Sequence, residues 1–322
     1  MLEQQKTTGR GIPRNGFRMT IGRKLAIEQA KQNGIDLDLS HFTNTKPDFI
    51  ENLIKQKEQN LITHPPKPEQ TDDDILQSIS ERFGLLEELT LSTALGISPS
   101  LIVSGSAGIG KTTEIMNAIN SLDMGDACKV VKGSITPLAL YKLLYEVRQS
   151  GSLLVLDDSD DCWDDEKSMN LIKAATDSSD ERIISWYSSR KIFDNDDLEL
   201  PSDFIFEGSI IFISNLDFYS IAESNNKLAP HFNAMISRSF VLDLSMKNSR
   251  EYLLRIKSIL FNDSFGGDMT LDIKNDIYRF MSKERDNLRD ISLRMVKKLH
   301  IIIQTYGSKW ENNARILFCK RS

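Results

Sequence analysis

The short apolar run Ser100-Leu101-Ile102-Val103-Ser104 breaks abruptly into Gly105-Ser106-Ala107-Gly108-Ile109-Gly110-Lys111-Thr112-Thr113. This Gly-x4-Gly-Lys-Thr pattern constrains the chain more than any other feature, because it works only as a loop between a buried strand and a helix. Its glycines let backbone N–H groups curl around phosphates with no Cβ in the way. The helix that follows turns its positive end to the same anion. Lys111 reaches terminal phosphates as a point charge, and Thr112 offers a hydroxyl to Mg2+. The whole stretch is therefore a candidate phosphate cradle.

The surroundings agree with that placement. Further short apolar runs occupy 129–132, 153–156, 210–213 and 240–244, with helical patterns between them, the first starting at Asp74 and leading into the Ser100 run. Strands alternating with helices imply a parallel sheet covered on both faces. After about 246 only helical periodicity remains, over 249–260, 271–281, 287–305 and 309–318, which predicts a small all-helical domain. Upstream, 1–20 reads as a flexible basic arm. Helices are expected over 21–33 and 48–63. The prolines Pro65, Pro66 and Pro68 then mark a linker at 63–73. The expected organisation is an N-terminal extension over 1–73, an α/β nucleotide-binding domain over 74–245 and a helical lid over 246–322.

Two more strand ends carry candidate chemistry. Leu153-Leu154-Val155-Leu156 emerges into Asp157-Asp158. Asp157 is placed to hold Mg2+ directly or through water, and Asp158 to orient and polarise an attacking water. The acids that follow (Asp160, Asp161, Asp164, Asp165 and Glu166) read as solvated surface or a contact to a basic partner. The run 210–213 ends in Ser214-Asn215. A strand inserted between the phosphate-loop strand and the carboxylate strand would aim Asn215 at the terminal phosphate or its water. A simple turn residue is the plainer alternative.

Composition narrows the class. The 322 residues are 40% apolar and 27% charged, as in ordinary globular proteins. No apolar run approaches membrane-spanning length, and no apolar stretch follows the N-terminal bases, so neither a membrane span nor a secretory signal is expected. Cys128, Cys162 and Cys319 are too scattered for disulfides or a zinc site, and four histidines stand in no ligand spacing. Reduced thiols in a cytoplasmic protein are the expectation. The net charge of −6 hides +5 over residues 1–33 and +7 over 246–322, around a centre of −18. Basic ends are either solvated surface or face an anionic partner, most commonly nucleic acid.

Together these motifs resemble the AAA+ ATPases, over roughly 75–305. Gly105 through Thr112 looks like Walker A, and Leu153 through Asp158 like Walker B, with Asp158 where the family more often has glutamate. Asn215 is similar to sensor 1. Asn233-Ala234-Met235-Ile236-Ser237-Arg238-Ser239-Phe240 is similar to the arginine-finger segment, and Asn287-Leu288-Arg289-Asp290-Ile291-Ser292 to sensor 2. The resemblance implies an α/β P-loop sandwich with a helical lid, ATP and Mg2+ as cofactors, and a ring-type homo-oligomer. Arg238 would reach the γ-phosphate held by a neighbouring subunit; a surface pairing with Asp243 is the alternative. Arg289 would act from the lid, with Arg294 as a weaker candidate; a helix salt bridge such as one to Asp286 is the alternative for Arg289. The compact layout suggests a phage or mobile-element type.

The partner is read from what remains. Residues 182–188 and 203–208 form a plausible hairpin before the sensor strand. It either points into a ring pore, where Ser188-Ser189-Arg190-Lys191 could touch a phosphate backbone, or extends the sheet and buries Trp186. No aromatic–apolar–Gly triplet stands at 132–137, where protein-unfolding members carry a pore loop. With the basic ends, that favours DNA or RNA as the substrate. A protein partner bound through residues 1–62 is the alternative, as is a protein-remodelling role.

Overall fold

Strands β1 (Ser100–Ser104), β3 (Leu153–Asp157) and β6 (Ser209–Ile213) are buried at every position, because helices cover both faces of the sheet they build. β2 (Cys128–Lys132) and β7 (Phe240–Asp243) are the partly exposed edges. All pairings are parallel, and the order across the sheet is β2-β3-β6-β1-β7. The α/β class expected from the alternation is therefore the fold. β6 lies between β1 and β3, which is the arrangement that carries Asn215 towards the phosphate loop.

This computed structural model describes residues 70–194, 197–225, 227–262 and 265–320. The expected basic arm and the helices over 21–33 and 48–63 lie outside the described residues. The chain divides into two compact units, Met1–Gln70 and Thr71–Ser322. Among the described residues, no helix is long and apolar enough to cross a membrane.

The second unit opens with α1 (Asp72–Ala94), two residues earlier than the periodicity predicts. Thr71 and Asp74 form a reciprocal capping box, and three aspartates complement the positive helix end. The end of the expected linker is thus helical. α1 and α2 (Lys111–Asn120) cover one face of the sheet through Ile79, Leu86, Ile115 and Ile119. The other face is covered by α3 (Pro137–Glu146), α4 (Glu166–Ala175) and α6 (Ala229–Arg238), with the short α5 (Phe218–Glu223) alongside. Trp163 sits within 6.0 Å of the rings of Phe212, Phe218 and Phe232 and anchors this side.

The hairpin exists, as β4 (Ile183–Ser185) paired antiparallel with β5 (Asp203–Ile205). It forms its own two-stranded sheet and does not extend the main one. Trp186 is half-buried, with its ring 5.9 Å from Tyr141, while Phe204 packs on Tyr141 and Tyr145 of α3.

Beyond β7 come α7 (Ser249–Leu260), α8 (Leu271–Lys283), α9 (Leu293–Tyr306) and α10 (Trp310–Phe318), closed around Leu260, Phe280, Leu299 and Trp310. One expected helix is shorter than its periodicity suggests. α9 starts at Leu293, not 287, because Ser292 caps it by accepting from the Met295 N–H. Residues 287–289 instead lie against the C-terminal stretch. The Arg289 N–H donates to Phe318 O, the Lys320 N–H donates to Asn287 O, and Leu288 bridges Cys319.

Candidate nucleotide site

Four strands deliver their carboxyl ends to one place, the usual crevice of open α/β sheets. β1 runs into the glycine-rich loop, β3 ends at Asp157, β6 leads to Asn215, and β2 ends at Lys132. Two glycines are required by geometry. Gly105 has φ +136°, and a Cβ there would lie 2.9 Å from the Leu244 carbonyl carbon. Gly108 has φ +77°, and a Cβ there would lie 2.6 Å from Cβ of Ser292. The first lets the loop pass under the edge of β7. The second lets the lid rest on the loop.

Lys111 opens α2 and is buried, folded back into the loop. Its ammonium donates to Gly105 O, to Ser106 O at 3.1 Å and to Oδ1 of Asn215 at 3.0 Å. Burial pushes its pKa down to about 8, against the pull of Asp158, Asp160 and Asp157 and with a further push from Arg294. Beside it, Thr112 Oγ1 donates to Oδ1 of Asp157 at 2.9 Å. The other oxygen of Asp157 is 3.1 Å from Nζ of Lys132, its register partner on β2. A cation thus already faces this carboxylate.

Asp158 follows with φ +54°, a left-handed conformation that aspartate tolerates better than most residues. Its N–H donates to Ile213 O at 3.0 Å, stitching the ends of β3 and β6 together. Its Oδ1 accepts from Nδ2 of Asn215 at 2.8 Å. Asn215 therefore bridges Lys111 and Asp158.

A cavity of about 210 Å³ collects these groups. Its lining includes Ala107, Gly108, Gly110, Lys111, Thr112, Thr113, Asp158 and Asn215, with Phe265, Leu293, Arg294 and Lys297 contributed by the lid. Of the remaining loop residues, Ile109 is buried and Ser106 is hydrogen-bonded by the Tyr252 hydroxyl. The donor set fits a magnesium nucleotide. A hydroxyl and a carboxylate stand together for the ion, and a buried ammonium and a helix N-terminus stand together for the phosphates.

Two expected residues lie elsewhere. Arg289 does not line this cavity. It sits in the loop before α9, where Nε donates to Cys319 O at 3.1 Å, and it borders a second cavity that Ser106 and Ala107 of the phosphate loop also line. Neither does it pair with Asp286; the lid cations that line the first cavity are Arg294 and Lys297 of α9, which begins six residues later than its apolar period suggests. Arg238 closes α6 at the amino ends of the strands, opposite the phosphate loop, where its carbonyl oxygen is 3.5 Å from Oγ of Ser100, the first residue of β1. Its side chain donates to Asp177 at 3.2 Å and to Ala234 O at 3.2 Å, so its ionic partner is Asp177, not Asp243.

The acidic run after Asp158 is not merely solvated surface. Asp160 accepts from Ser214 Oγ at 2.6 Å and from the Asn215 N–H at 3.3 Å, which holds the end of β6. Asp161 accepts from the Ile135 N–H and Ser134 Oγ, and Asp165 caps α4. Nothing in the sequence separates these acids from their neighbours. Replacing Asp160 by alanine removes the acceptor of Ser214 Oγ and of the Asn215 N–H while leaving Lys111, Thr112 and Asp157 in place. The expected result is a roughly tenfold lower kcat for nucleotide hydrolysis with little change in nucleotide affinity. An unchanged kcat in steady-state assays would remove Asp160 from the site.

The chain is 32% identical over 247 residues to an uncharacterized 36.7 kDa protein from the nrdC-mobD intergenic region of Enterobacteria phage T4, covering 75% of each chain. No protein-family model matches. Among solved structures, it is similar to ATP-bound NtrX from Brucella abortus (13% identity, 82% of this chain and 58% of that one, TM-score 0.42). It is also similar to AMPPCP-bound DnaA from Aquifex aeolicus (13% identity, 72% and 64%, TM-score 0.37). A third likeness is to the HORMA:CdnC:Trip13 complex of E. coli MS115-1 (12% identity, 79% and 95%, TM-score 0.34). The chain spans less than two-thirds of the NtrX and DnaA chains. The P-loop fold rests on the strand order and the loop geometry.

Proposed function

This chain belongs to the family of the phage T4 36.7 kDa protein and has a P-loop α/β fold, and we propose that it is an Mg-ATP-hydrolysing AAA+ enzyme that works as a ring on nucleic acid. The observation that carries the ATPase reading is the convergence of Lys111, Thr112 and the Asn215–Asp158 pair on one cavity, with Asp157 hydrogen-bonded behind Thr112. Asp158 accepts the proton of the attacking water, and Asn215 holds the carboxylate in place for it. Thr112 and Asp157 would hold Mg2+, which when bound would neutralise charge on the phosphate oxygens. Lys111 leaves the loop carbonyls for the terminal phosphates. Arg294 and Lys297 bring lid charge to the same end of the nucleotide, the role the sequence resemblance assigned to Arg289.

Arg238 lies at the end of the strands opposite its own loop, so its action as an arginine finger requires the loop of a second subunit. Nucleic acid is favoured by the basic N-terminal stretch and the +7 lid region. One observation favours a protein partner instead. The hairpin region 177–207 carries nine acids against three bases, and Lys191 is bound to Glu199 at 2.6 Å, which suits a cationic partner better than a phosphate backbone.

Steady-state ATP hydrolysis of the full chain separates these readings. Stimulation by single-stranded DNA, duplex DNA or RNA, lost in both Lys111→Ala and Arg238→Ala, is the expected result. Turnover lost in Lys111→Ala but indifferent to every nucleic acid would move the assignment to a protein partner. Full activity in Arg238→Ala would dismiss it as the finger.

A further inference from the structure

Two donors carried by the lid grip successive carbonyls of the phosphate loop from outside. The Leu293 N–H, at the start of α9, donates to Gly108 O at 2.9 Å. Arg255 Nε, on α7, donates to Ile109 O at 3.2 Å. Arg255 is buried and firmly held. Its guanidinium lies 3.4 Å from the centre of the Phe83 ring on α1, and a terminal nitrogen donates to Glu114 of α2 at 2.9 Å. Burial lowers its pKa, and the Glu114 carboxylate opposes that push.

A trans peptide fixes its C=O and the next N–H in opposite directions, and no peptide bond among the described residues is cis. Holding Gly108 O towards the lid therefore turns the Ile109 N–H away from the lid. Holding Ile109 O against Arg255 turns the Gly110 N–H away from Arg255. These two N–H groups belong to the loop whose residues line the cavity. From this geometry we infer that the lid presets the phosphate-binding amides of the loop. The Leu293 side chain lines the cavity, but its N–H and Arg255 are positioning groups, which bond loop carbonyls and set nucleotide affinity through the loop. The inference rests on the nucleotide-site reading above and deepens it.

Leu293 permits a clean test. It is the first residue of α9, where proline is tolerated and removes only an N–H. Ser292 before it has φ −151° and ψ 165°, an extended conformation compatible with a following proline. Leu293→Ala keeps the N–H and loses the side chain, so the difference between Leu293→Pro and Leu293→Ala isolates the hydrogen bond. In Arg255→Lys the shorter-headed cation cannot bond Ile109 O and Glu114 together or stack as a plane on Phe83.

The probe is mant-ATP with Mg2+, titrated into the full chain, with melting temperature recorded for each variant. Leu293→Pro is expected to bind about tenfold more weakly than Leu293→Ala, and Arg255→Lys several-fold more weakly than the parent. In hydrolysis assays Leu293→Pro should show a higher KM than Leu293→Ala at a matching kcat, and Arg255→Lys a higher KM than the parent, a split that mere destabilisation would not produce. Equal affinity of Leu293→Pro and Leu293→Ala, with the parent binding and Lys111→Ala not, would overturn the inference and leave the nucleotide site standing. Equal binding by the parent and Lys111→Ala would overturn the site itself.

Discussion

Replacing Lys111 by methionine is expected to stabilise the protein and abolish nucleotide turnover together. The ammonium is buried, and burial lowers its pKa from 10.5 to about 8. A lysine with a folded value below its unfolded one releases its proton on folding between the two. Stability therefore rises as pH climbs from about 8 through 10.5, and below 8 the full cost of the buried charge is present. At about 1.36 kcal/mol per unit, that cost is on the order of 3 kcal/mol near neutrality. Methionine removes it but leaves the Gly105, Ser106 and Asn215 oxygens without their donor, giving back part of the gain. A net gain on the order of 1–2 kcal/mol at pH 7, shrinking towards pH 10, is the expectation for denaturant unfolding of metal- and nucleotide-free protein. A Lys111→Met variant less stable than the parent at pH 7 would show that its hydrogen bonds outweigh its desolvation. The same trade runs through binding sites generally, where a group poised for a ligand strains the fold that holds it.

Asp158→Asn is expected to lower kcat by about 10²- to 10⁴-fold with KM nearly unchanged, the range for loss of a positioned base. The substitution keeps the shape, the left-handed backbone at φ +54° and an oxygen for the Asn215 amide, and removes only the proton acceptor. Single-turnover hydrolysis with saturating Mg-ATP reads the effect directly. Wild-type rates in Asp158→Asn would move the base to another group. Asp160 would not inherit the role, since both of its oxygens are occupied by Ser214 and the Asn215 N–H.

Much of this site was legible before any fold was known, and for local reasons. A glycine-rich turn between an apolar run and a helix has few other uses, and two carboxylates at the end of a buried strand have few other neighbours. The strands themselves were readable because β1, β3 and β6 are buried on both faces and hence apolar at nearly every position. The sensor strand could be ordered between its neighbours only as an expectation, and the register of β6 against β1 and β3 supplies the fact.

What the sequence determined by itself is therefore the chemistry carried by contiguous residues: the cradle from Gly105 to Thr113, the Asp157–Asp158 pair and the α/β alternation. Tertiary structure alone decided which distant side chains meet that chemistry. It placed Arg294, and not Arg289, in the lining of the Lys111 cavity, because a cap at Ser292 and a backbone bridge to Cys319 set where α9 begins. It turned Asp160 from one acid in a run into an acceptor that holds Ser214 and the Asn215 backbone. It brought Arg255 from 146 residues away to the loop carbonyl of Ile109. Periodicity reports which face of an element is apolar, but contacts between elements depend on packing and on chain ends that no local pattern encodes.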